Sequence, residues 1–346
     1  MNIRLVLEEK ERKFLSPKAK LSSESTGRLQ PEDPCDIRPA FQRDRDRILH
    51  SKAFRRLKHK TQVFLAPEGD HYRTRLTHAL EVAQIARTLA KALSLNEDLT
   101  EAIALGHDLG HTPFGHAGEA VFNDLLPGGF HHSQQSLRVV DQLEKGGKGL
   151  NLTQEVREGI LKHSKGCGPL MTKEQELLPS TLEAQVVRFA DLMAYVNHDT
   201  DDAIRAEIVK DSDLPAQLVR VLGNSASDRI DRMVRDTLEA TLANDLERIV
   251  LSEQVCWAIE ELRKFLFERV YNSPPVQIDF KKSAKILKEL FQYFLARPEE
   301  FAKETGWRLG REELDRAVVD FLAGMTDQFA INIYERIFLP KPWGVY

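Results

Sequence analysis

The chain has 346 residues, of which 42% are hydrophobic and 29% charged, and its formal net charge is −4. This composition is typical of a folded, soluble protein and excludes disordered and collagen-like chains. Cys35, Cys167 and Cys256 lie far apart without a CxxC motif, so we expect reduced thiols in a cytoplasmic protein. No apolar run approaches the roughly 18 residues of a membrane span, and the residues after Met1 lack a signal-peptide pattern.

Proline and serine punctuate residues 16–40 and predict a partly extended N-terminal arm over residues 1–40. Amphipathic periodicity then predicts helices over 41–60, 74–93, 97–109, 153–163, 181–200, 214–222, 228–247, 251–271, 281–295 and 311–336. Loops are expected at 66–70 and 166–180, with helix breaks at Pro274-Pro275 and at Pro298. Only Val276-Gln277-Ile278 hints at a strand. The pattern predicts an all-α protein with a catalytic core over 41–205 and a C-terminal helical region over 206–346 that packs on it.

The segment from Arg38 to Arg75 is basic, with eleven Lys or Arg residues against four Asp or Glu residues. Such a block attracts a polyanion, and both a small triphosphate and a nucleic-acid backbone qualify. A solvated basic face is the ordinary alternative for any such run.

The segment ALGHDLGHTPFGHAGE, residues 104–119, carries three histidines, one aspartate and one glutamate. Because His107 and Asp108 are adjacent, a helix would direct them about 100° apart. Both reach one ion only at a helix end, where the chain turns at Gly110. Imidazole beside carboxylate suits a divalent metal, with Mg, Mn, Fe, Co, Ni and Zn as candidates. The segment predicts a metal-dependent active site.

Together with this segment, five others resemble one family: RDRDRI at 43–48, FRRLKHKTQV at 54–63, RLTH at 75–78, ADLMAY at 190–195 and AGMTD at 323–327. In this order and spacing they are similar to the bacterial dGTP triphosphohydrolase-like proteins. These belong to the HD-domain superfamily, which also contains the mammalian SAM-and-HD-domain dNTP triphosphohydrolase. The resemblance covers about residues 38–335 and implies an HD-domain helical bundle with additional C-terminal helices.

The resemblance also implies a reaction, the hydrolysis of a dNTP to the deoxynucleoside and inorganic tripolyphosphate. The metal ligands that it implies are His78, His107, Asp108 and Asp191. Its catalytic residues are His116, Glu119, His111 and His132. In this scheme His116 donates a proton to O5′, Glu119 orients the His116 ring, and His111 and His132 contact phosphates or aid proton transfer.

For the substrate, the resemblance implies binding by Gln62, Arg75, Tyr195 and Asp199. Arg75 would face the phosphates, Tyr195 would pack against the deoxyribose, and Gln62 and Asp199 would bind its 3′-hydroxyl. The spacing of four between Asp191, Tyr195 and Asp199 agrees, because residues four apart share one helix face.

Members of the family form homo-oligomers, so we expect a dimer to a hexamer, with single-stranded DNA or a second dNTP as candidate effectors and no membrane partner. Ser133, Phe321 and Gln328 depart from the asparagine, tyrosine and arginine that are usual in relatives, which leaves the preferred base open. Two alternatives remain: an HD-domain phosphohydrolase acting on other nucleotides, and a nucleic-acid-binding regulator that retains the fold.

Overall fold

The computed structural model describes residues 2–63, 73–164, 178–308 and 313–340. Within these ranges the protein is all-α, as predicted, and β-structure is limited to two isolated bridges. None of the helices described is long and apolar enough to cross a bilayer. The helices are α1 Ile3–Phe14, α2 Ala40–Leu49, α3 Lys52–Arg56, α4 Arg75–Ala92, α5 Glu97–Gly106, α6 His116–Leu125, α7 His132–Arg138, α8 Glu144–Gly147, α9 Gln154–Lys162, α10 Leu182–Arg205, α11 Ala216–Leu222, α12 Ala226–Ala243, α13 Glu253–Leu266, α14 Pro274–Ala296, α15 Pro298–Thr305, α16 Leu314–Ala323 and α17 Asp327–Phe338.

The central helix is α10, which packs against α4, α5, α9, α12 and α13. Apolar residues lie on every side of it, so most of its length is buried. The Thr181 side chain caps its start by accepting a hydrogen bond from the Ala184 amide. A reciprocal pair of bonds between Thr74 and Thr77 fixes the start of α4. These caps fix the first residues of α4 and α10, and therefore which side chains of the two helices face each other.

A second apolar cluster joins α6 to the C-terminal helices α14, α16 and α17. Phe122 of α6 packs in this cluster with Phe294 of α14 and Val318 of α16, all of them buried. The division of the chain at residue 205 stays a prediction, but apolar packing crosses it. The N-terminus of α6 is therefore supported by residues from the end of the chain.

Several predicted boundaries are wrong. The helix expected over 41–60 is interrupted after Leu49, because the Ser51 side chain caps a new helix, α3. Pro274-Pro275 begins α14 rather than breaking it, since proline is tolerated in the first helical turn. The strand hint at Val276-Gln277-Ile278 consequently lies inside that helix. The helix expected over 311–336 divides into α16 and α17, and the N-terminal arm contains α1.

Other expectations lie partly or wholly outside the described residues. The loop predicted at 66–70 and Cys167 fall there, as does most of the loop predicted at 166–180. Among the described residues, Cys35 and Cys256 form no disulfide.

Much of the basic segment from Arg38 to Arg75 is neutralised within the protein. Its buried or half-buried arginines form ion pairs with carboxylates, namely Arg38–Asp46, Arg43–Glu32, Arg45–Asp98, Arg47–Glu32, Arg73–Asp202 and Arg75–Asp108. These pairs leave less free positive charge than the sequence suggests. Single-stranded DNA as an effector stays a prediction.

The start of α17 holds the two segments that flank the candidate site. The Asp327 carboxylate accepts hydrogen bonds from the amide and hydroxyl of Thr61, the amide bond being 2.8 Å, and from the Phe114 amide at 2.9 Å. Beside it, the buried Lys60 ammonium donates to the carbonyl oxygens of His111 and Ala323. Burial, reinforced by the charge of Arg56, lowers the pKa of Lys60 to about 7. The C-terminal helices thus hold the loop before α6 in place.

Replacing Asp327 by alanine is expected to lower the free energy of unfolding by about 3 kcal/mol, because it leaves buried donors without acceptors. Chemical denaturation measures the change. Asp231→Ala, which removes a carboxylate 62% exposed on α12, is the matched control and is expected to stay within about 0.5 kcal/mol. Equal effects for the two variants would contradict the role assigned to Asp327.

Candidate metal centre and substrate cavity

The His-Asp pair follows directly on the end of α5, as the sequence predicts. α5 ends at Gly106, and Ser136 of α7 closes the turn by donating to the His107 carbonyl and accepting from the Gly110 amide. A Cβ on Gly110 would lie 2.1 Å from the Ser136 nitrogen, so only glycine lets α7 approach this closely. The turn directs His107 and Asp108 toward α4 and α10.

Four side chains from three helical segments converge there: His78, His107, Asp108 and Asp191. The His78 Nε2 lies 3.1 Å from Asp191 Oδ1 and 3.9 Å from Asp108 Oδ2. The His107 Nε2 lies 3.3 Å from Asp108 Oδ1 and 3.7 Å from Asp191 Oδ1. Ligand atoms of His78, His107 and Asp108 all lie within 4.8 Å of one another, as the ligands of one cation do, and Asp191 adjoins this group through the two histidines. The structure therefore brings together all four side chains proposed as ligands.

The hydrogen-bonding state of His107 fits a metal ligand. Its Nδ1 donates to the Ala104 carbonyl at 2.6 Å, so a neutral ring carries its lone pair on Nε2. That Nε2 is buried and has no hydrogen-bond partner among the described residues, although two carboxylates face it. A lone pair directed at carboxylate oxygens is repelled unless a cation lies between them. A bond from Nδ1 to a carbonyl is also how ligating histidines are commonly oriented.

The charged state of Asp108 and Asp191 also fits a metal centre. Burial raises the pKa of Asp108, but His107, His111 and Arg75 outweigh burial and hold that pKa well below its usual range. Burial likewise opposes ionisation of Asp191, yet its contacts with His78 and His107 lower its pKa. Both carboxylates are therefore ionised and available to a cation at neutral pH.

The pairing expected between Glu119 and His116 is not made. Both residues lie in the first turn of α6, but Glu119 Oε2 is 4.0 Å from the His116 Nδ1. Instead Glu119 accepts hydrogen bonds from the amide and the Nδ1 of His132, each 2.9 Å long. The carboxylate is therefore committed to His132, because α7 begins beside α6 and brings that ring closer. His132 in turn stacks on His111, with ring centroids 4.1 Å apart.

His116 projects into an open cavity, where 66% of its side chain is exposed. Desolvation by the surrounding walls lowers its pKa, and the positive charge of Arg75 acts in the same direction. The cavity encloses about 1400 Å³, which is ample for a nucleotide. The metal centre forms one end of it.

Three predicted substrate residues that line this cavity also carry buried polar atoms without partners among the described residues. These atoms are Gln62 Oε1, Arg75 Nε and Asp199 Oδ1, all buried. Arg75 is only partly available, since its Nη1 donates to Asp108 Oδ2 at 2.9 Å. Unsatisfied buried polar atoms are costly, so a ligand that pairs with them would be stabilised.

Asp191, Tyr195 and Asp199 all line the cavity from one face of α10, as their spacing predicts. Asp199 accepts a hydrogen bond from the Tyr271 hydroxyl, and burial raises the pKa of Asp199 to about 7. Burial also raises the pKa of Tyr195, so its ring stays neutral. Along this face, the ionised Asp191 is thus followed by a neutral Tyr195 and by Asp199, whose pKa is raised.

Sequence reasoning missed His163 and Tyr271. His163 follows the last residue of α9 as His107 follows α5, and its Nδ1 donates to the Ile160 carbonyl at 2.7 Å. A histidine at the end of a predicted helix was the available signal. Tyr271 closes a π-helical turn over Phe267–Tyr271, an irregularity that amphipathic periodicity does not reveal.

Known proteins match the chain along its length. Residues 75–195 match the HD domain family, and residues 249–336 match a family described as a phosphohydrolase-associated domain. A deoxyguanosinetriphosphate triphosphohydrolase-like protein of Caldanaerobacter subterraneus subsp. tengcongensis is 56% identical, with 99% of this chain and 98% of that protein covered. A protein with the same description from Desulfatibacillum aliphaticivorans is 52% identical, with 99% of each covered. A solved structure, that of a hypothetical protein from Aquifex aeolicus, aligns with TM-score 0.47 and 20% identity over 85% of this chain and 71% of that one.

Mn²⁺ is expected to raise the melting temperature of the protein by several degrees, because a ligand at a hundredfold excess over its Kd contributes about 2.7 kcal/mol. Asp191→Asn should lose most of this shift, since the amide keeps the shape of the side chain but not its charge. Thermal denaturation with EDTA or Mn²⁺ measures it, with the exposed His59→Gln as control. An undiminished shift in Asp191→Asn would place the metal elsewhere.

Proposed function

The chain belongs to the deoxyguanosinetriphosphate triphosphohydrolase-like family of HD-domain phosphohydrolases, and we propose that it hydrolyses deoxynucleoside triphosphates to the deoxynucleoside and inorganic tripolyphosphate. One observation carries the proposal. His78, His107 and Asp108 offer ligand atoms within 4.8 Å of one another, Asp191 faces both histidines, and the adjoining cavity is lined by Tyr195, Gln62 and Asp199.

The chemistry requires a water to attack the α-phosphorus while the bond from phosphorus to O5′ breaks. A divalent cation bound by the four side chains would polarise a phosphoryl oxygen and make a water more acidic. Arg75 is placed to bind the α-phosphate, because it borders the cavity and its Nε has no partner among the described residues. Its bond to Asp108 fixes the guanidinium in that position.

The leaving O5′ alkoxide needs a proton, and His116 is the proposed donor. Its ring is exposed to the cavity, and the centroids of the His116 and His111 rings lie 6.3 Å apart. Desolvation by the cavity walls and the charge of Arg75 lower the pKa of His116 from its ordinary value, which makes the imidazolium a stronger acid. Since Glu119 bonds to His132, we assign Glu119 the positioning of His132 rather than of His116.

The sugar would lie along α10. Tyr195 presents its ring between the metal centre and Asp199, where it would pack under C2′ of the sugar and exclude a ribose 2′-hydroxyl. The free Oδ1 of Asp199 and the free Oε1 of Gln62 are suited to accept a hydrogen bond from the 3′-hydroxyl. The base would then occupy the part of the cavity lined by Tyr271 and Phe280.

With Mg²⁺, Mn²⁺ or Co²⁺, at least one of the four dNTPs is expected to yield tripolyphosphate and deoxynucleoside in equal amounts. Ion chromatography and reverse-phase chromatography measure the two products. Asp108→Ala should abolish turnover, because it removes a proposed ligand and leaves Arg75 without its partner. His116→Ala should lower kcat more than it raises KM.

His59→Gln is the matched control for His116→Ala, because it deletes an imidazole on the surface, and it should retain full turnover. Release of orthophosphate alone from every dNTP would remove the proposed reaction. Turnover like that of wild type in Asp108→Ala would remove the proposed site.

Tyr195→Ala is expected to reduce the preference for dGTP over GTP by on the order of tenfold, since a side chain that excludes one hydroxyl supplies about that much discrimination. The ratio of kcat/KM values for the two nucleotides measures this preference. Tyr195→Phe keeps the ring and should keep the preference. An unchanged ratio in the alanine variant would contradict the steric role of the tyrosine.

A further inference from the structure

One of the four candidate ligands, His78, has a ring nitrogen that lacks a hydrogen-bond partner. Its Nε2 faces Asp191 at 3.1 Å, but its Nδ1 is buried and unpaired among the described residues. His107 differs, because its Nδ1 donates to the Ala104 carbonyl at 2.6 Å. A neutral histidine that binds a cation through Nε2 carries its hydrogen on Nδ1. This hydrogen of His78 therefore needs an acceptor.

The ring of His198, from α10, lies beside the ring of His78. The two ring centroids are 5.7 Å apart, and the ring planes are nearly perpendicular, at 88°. His198 is 3% exposed, and its own Nδ1 is likewise buried without a partner in the described part of the chain. Burial lowers the pKa of His198 to about 2, so the neutral ring has one donor and one acceptor nitrogen. Two neighbouring rings thus each carry an unpaired Nδ1.

Glu81 determines which nitrogen of His198 is the acceptor. It lies one turn after His78 on α4, and its Oε2 is 3.3 Å from the His198 Nε2. This oxygen is also buried and has no hydrogen-bond partner within the described ranges. Because a carboxylate only accepts, it favours the His198 tautomer with the hydrogen on Nε2 and the lone pair on Nδ1. Arg73 donates to Glu81 at 3.4 Å and to Asp202 at 2.9 Å, which joins the carboxylate to α10.

The three unpaired atoms are complementary and follow one another in space. The Nδ1 of His198 is the acceptor that the Nδ1 of His78 needs, and the Oε2 of Glu81 is the acceptor for the Nε2 of His198. Buried polar atoms without partners are costly, so small ring rotations that pair all three are favoured. A carboxylate and an imidazole behind a ligating histidine fix the orientation of its ring and increase its basicity.

We propose that His198, oriented by Glu81, positions His78 within the metal centre by accepting a hydrogen bond from the His78 Nδ1, directly or through one water. This bond would hold the His78 ring with its Nε2 toward Asp108 and Asp191. His198 is a positioning residue, because it acts through His78. The inference rests on the metal centre of the proposed function, but not on the nucleotide or on the reaction.

The test measures the affinity of the full chain for Mn²⁺ in the absence of nucleotide. The protein is stripped with a chelator and titrated with Mn²⁺, and electron paramagnetic resonance measures the free ion. His198→Leu removes both ring nitrogens and is expected to raise the Kd by about 10- to 100-fold, the usual cost of losing the partner of a ligating histidine. His198→Asn keeps an acceptor oxygen near the position of Nδ1 and should recover most of the affinity. His59→Gln, which deletes a surface imidazole, should bind as tightly as wild type.

Rescue by asparagine separates hydrogen bonding from packing, because a role in packing alone would weaken both variants alike. Equal Kd values for His198→Leu and wild type, or for His198→Leu and His198→Asn, would overturn the proposal. Circular dichroism checks the fold of each variant. If His198→Leu does not fold, Glu81→Ala tests the same contacts from α4, and an unchanged Kd there would overturn the proposal as well.

The outcome is distinguishable from a failure of the proposed function. A wild-type protein that binds no Mn²⁺ would overturn both this proposal and the metal-dependent reaction. A failure to release tripolyphosphate from dNTPs would remove only the reaction, because the titration contains no nucleotide.

Discussion

The candidate site depends on two carboxylates, the buried Asp108 and the largely enclosed Asp191, where α4, α5 and α10 meet. Removing an ionised carboxylate from water is costly, and the cost is offset only by opposite charge or by several hydrogen bonds. Here Arg75 pairs with one oxygen of Asp108, and imidazoles surround the rest. The lone pair of the His107 Nε2 faces the same carboxylates and would be repelled by them. A cation between these atoms would remove that repulsion. The electrostatic potential at the site is therefore negative, and binding of a cation would neutralise it.

The ends of two helices position two of the buried histidines. His107 and His163 each follow the last residue of a helix, and each ring donates from Nδ1 to a carbonyl three residues earlier. The last carbonyls of a helix have no partner within the helix, so the two needs satisfy each other. The same bond fixes the tautomer and directs Nε2 away from the helix, into the centre. The way in which α5 ends therefore also orients the ring of His107 as a candidate metal ligand.

The all-α fold followed from helical periodicity, which a sequence carries locally, whereas the set of four candidate ligands followed from the family resemblance. Helical periodicity located α4, α5 and α10, and the HD motif placed His107 and Asp108 at a helix end. What the sequence could not provide was distance between segments far apart in the chain. The bond from Glu119 to His132, rather than to His116, depends on how α7 packs beside α6. Tyr271 reaches Asp199 from 72 residues away, and no periodicity in either segment encodes that contact.

The contacts that Lys60 and Asp327 make with the segment before α6 determine whether the HD domain could fold without the C-terminal helices. Lys60 joins the His111 carbonyl to that of Ala323, and Asp327 holds Thr61 and Phe114. The residues that match the HD domain family end at 195, well before either C-terminal support. An excised HD segment would lack these anchors and would expose Phe114 and Phe122 to water. The catalytic motif is therefore not a transplantable module, and recombination between relatives would have to exchange both halves together.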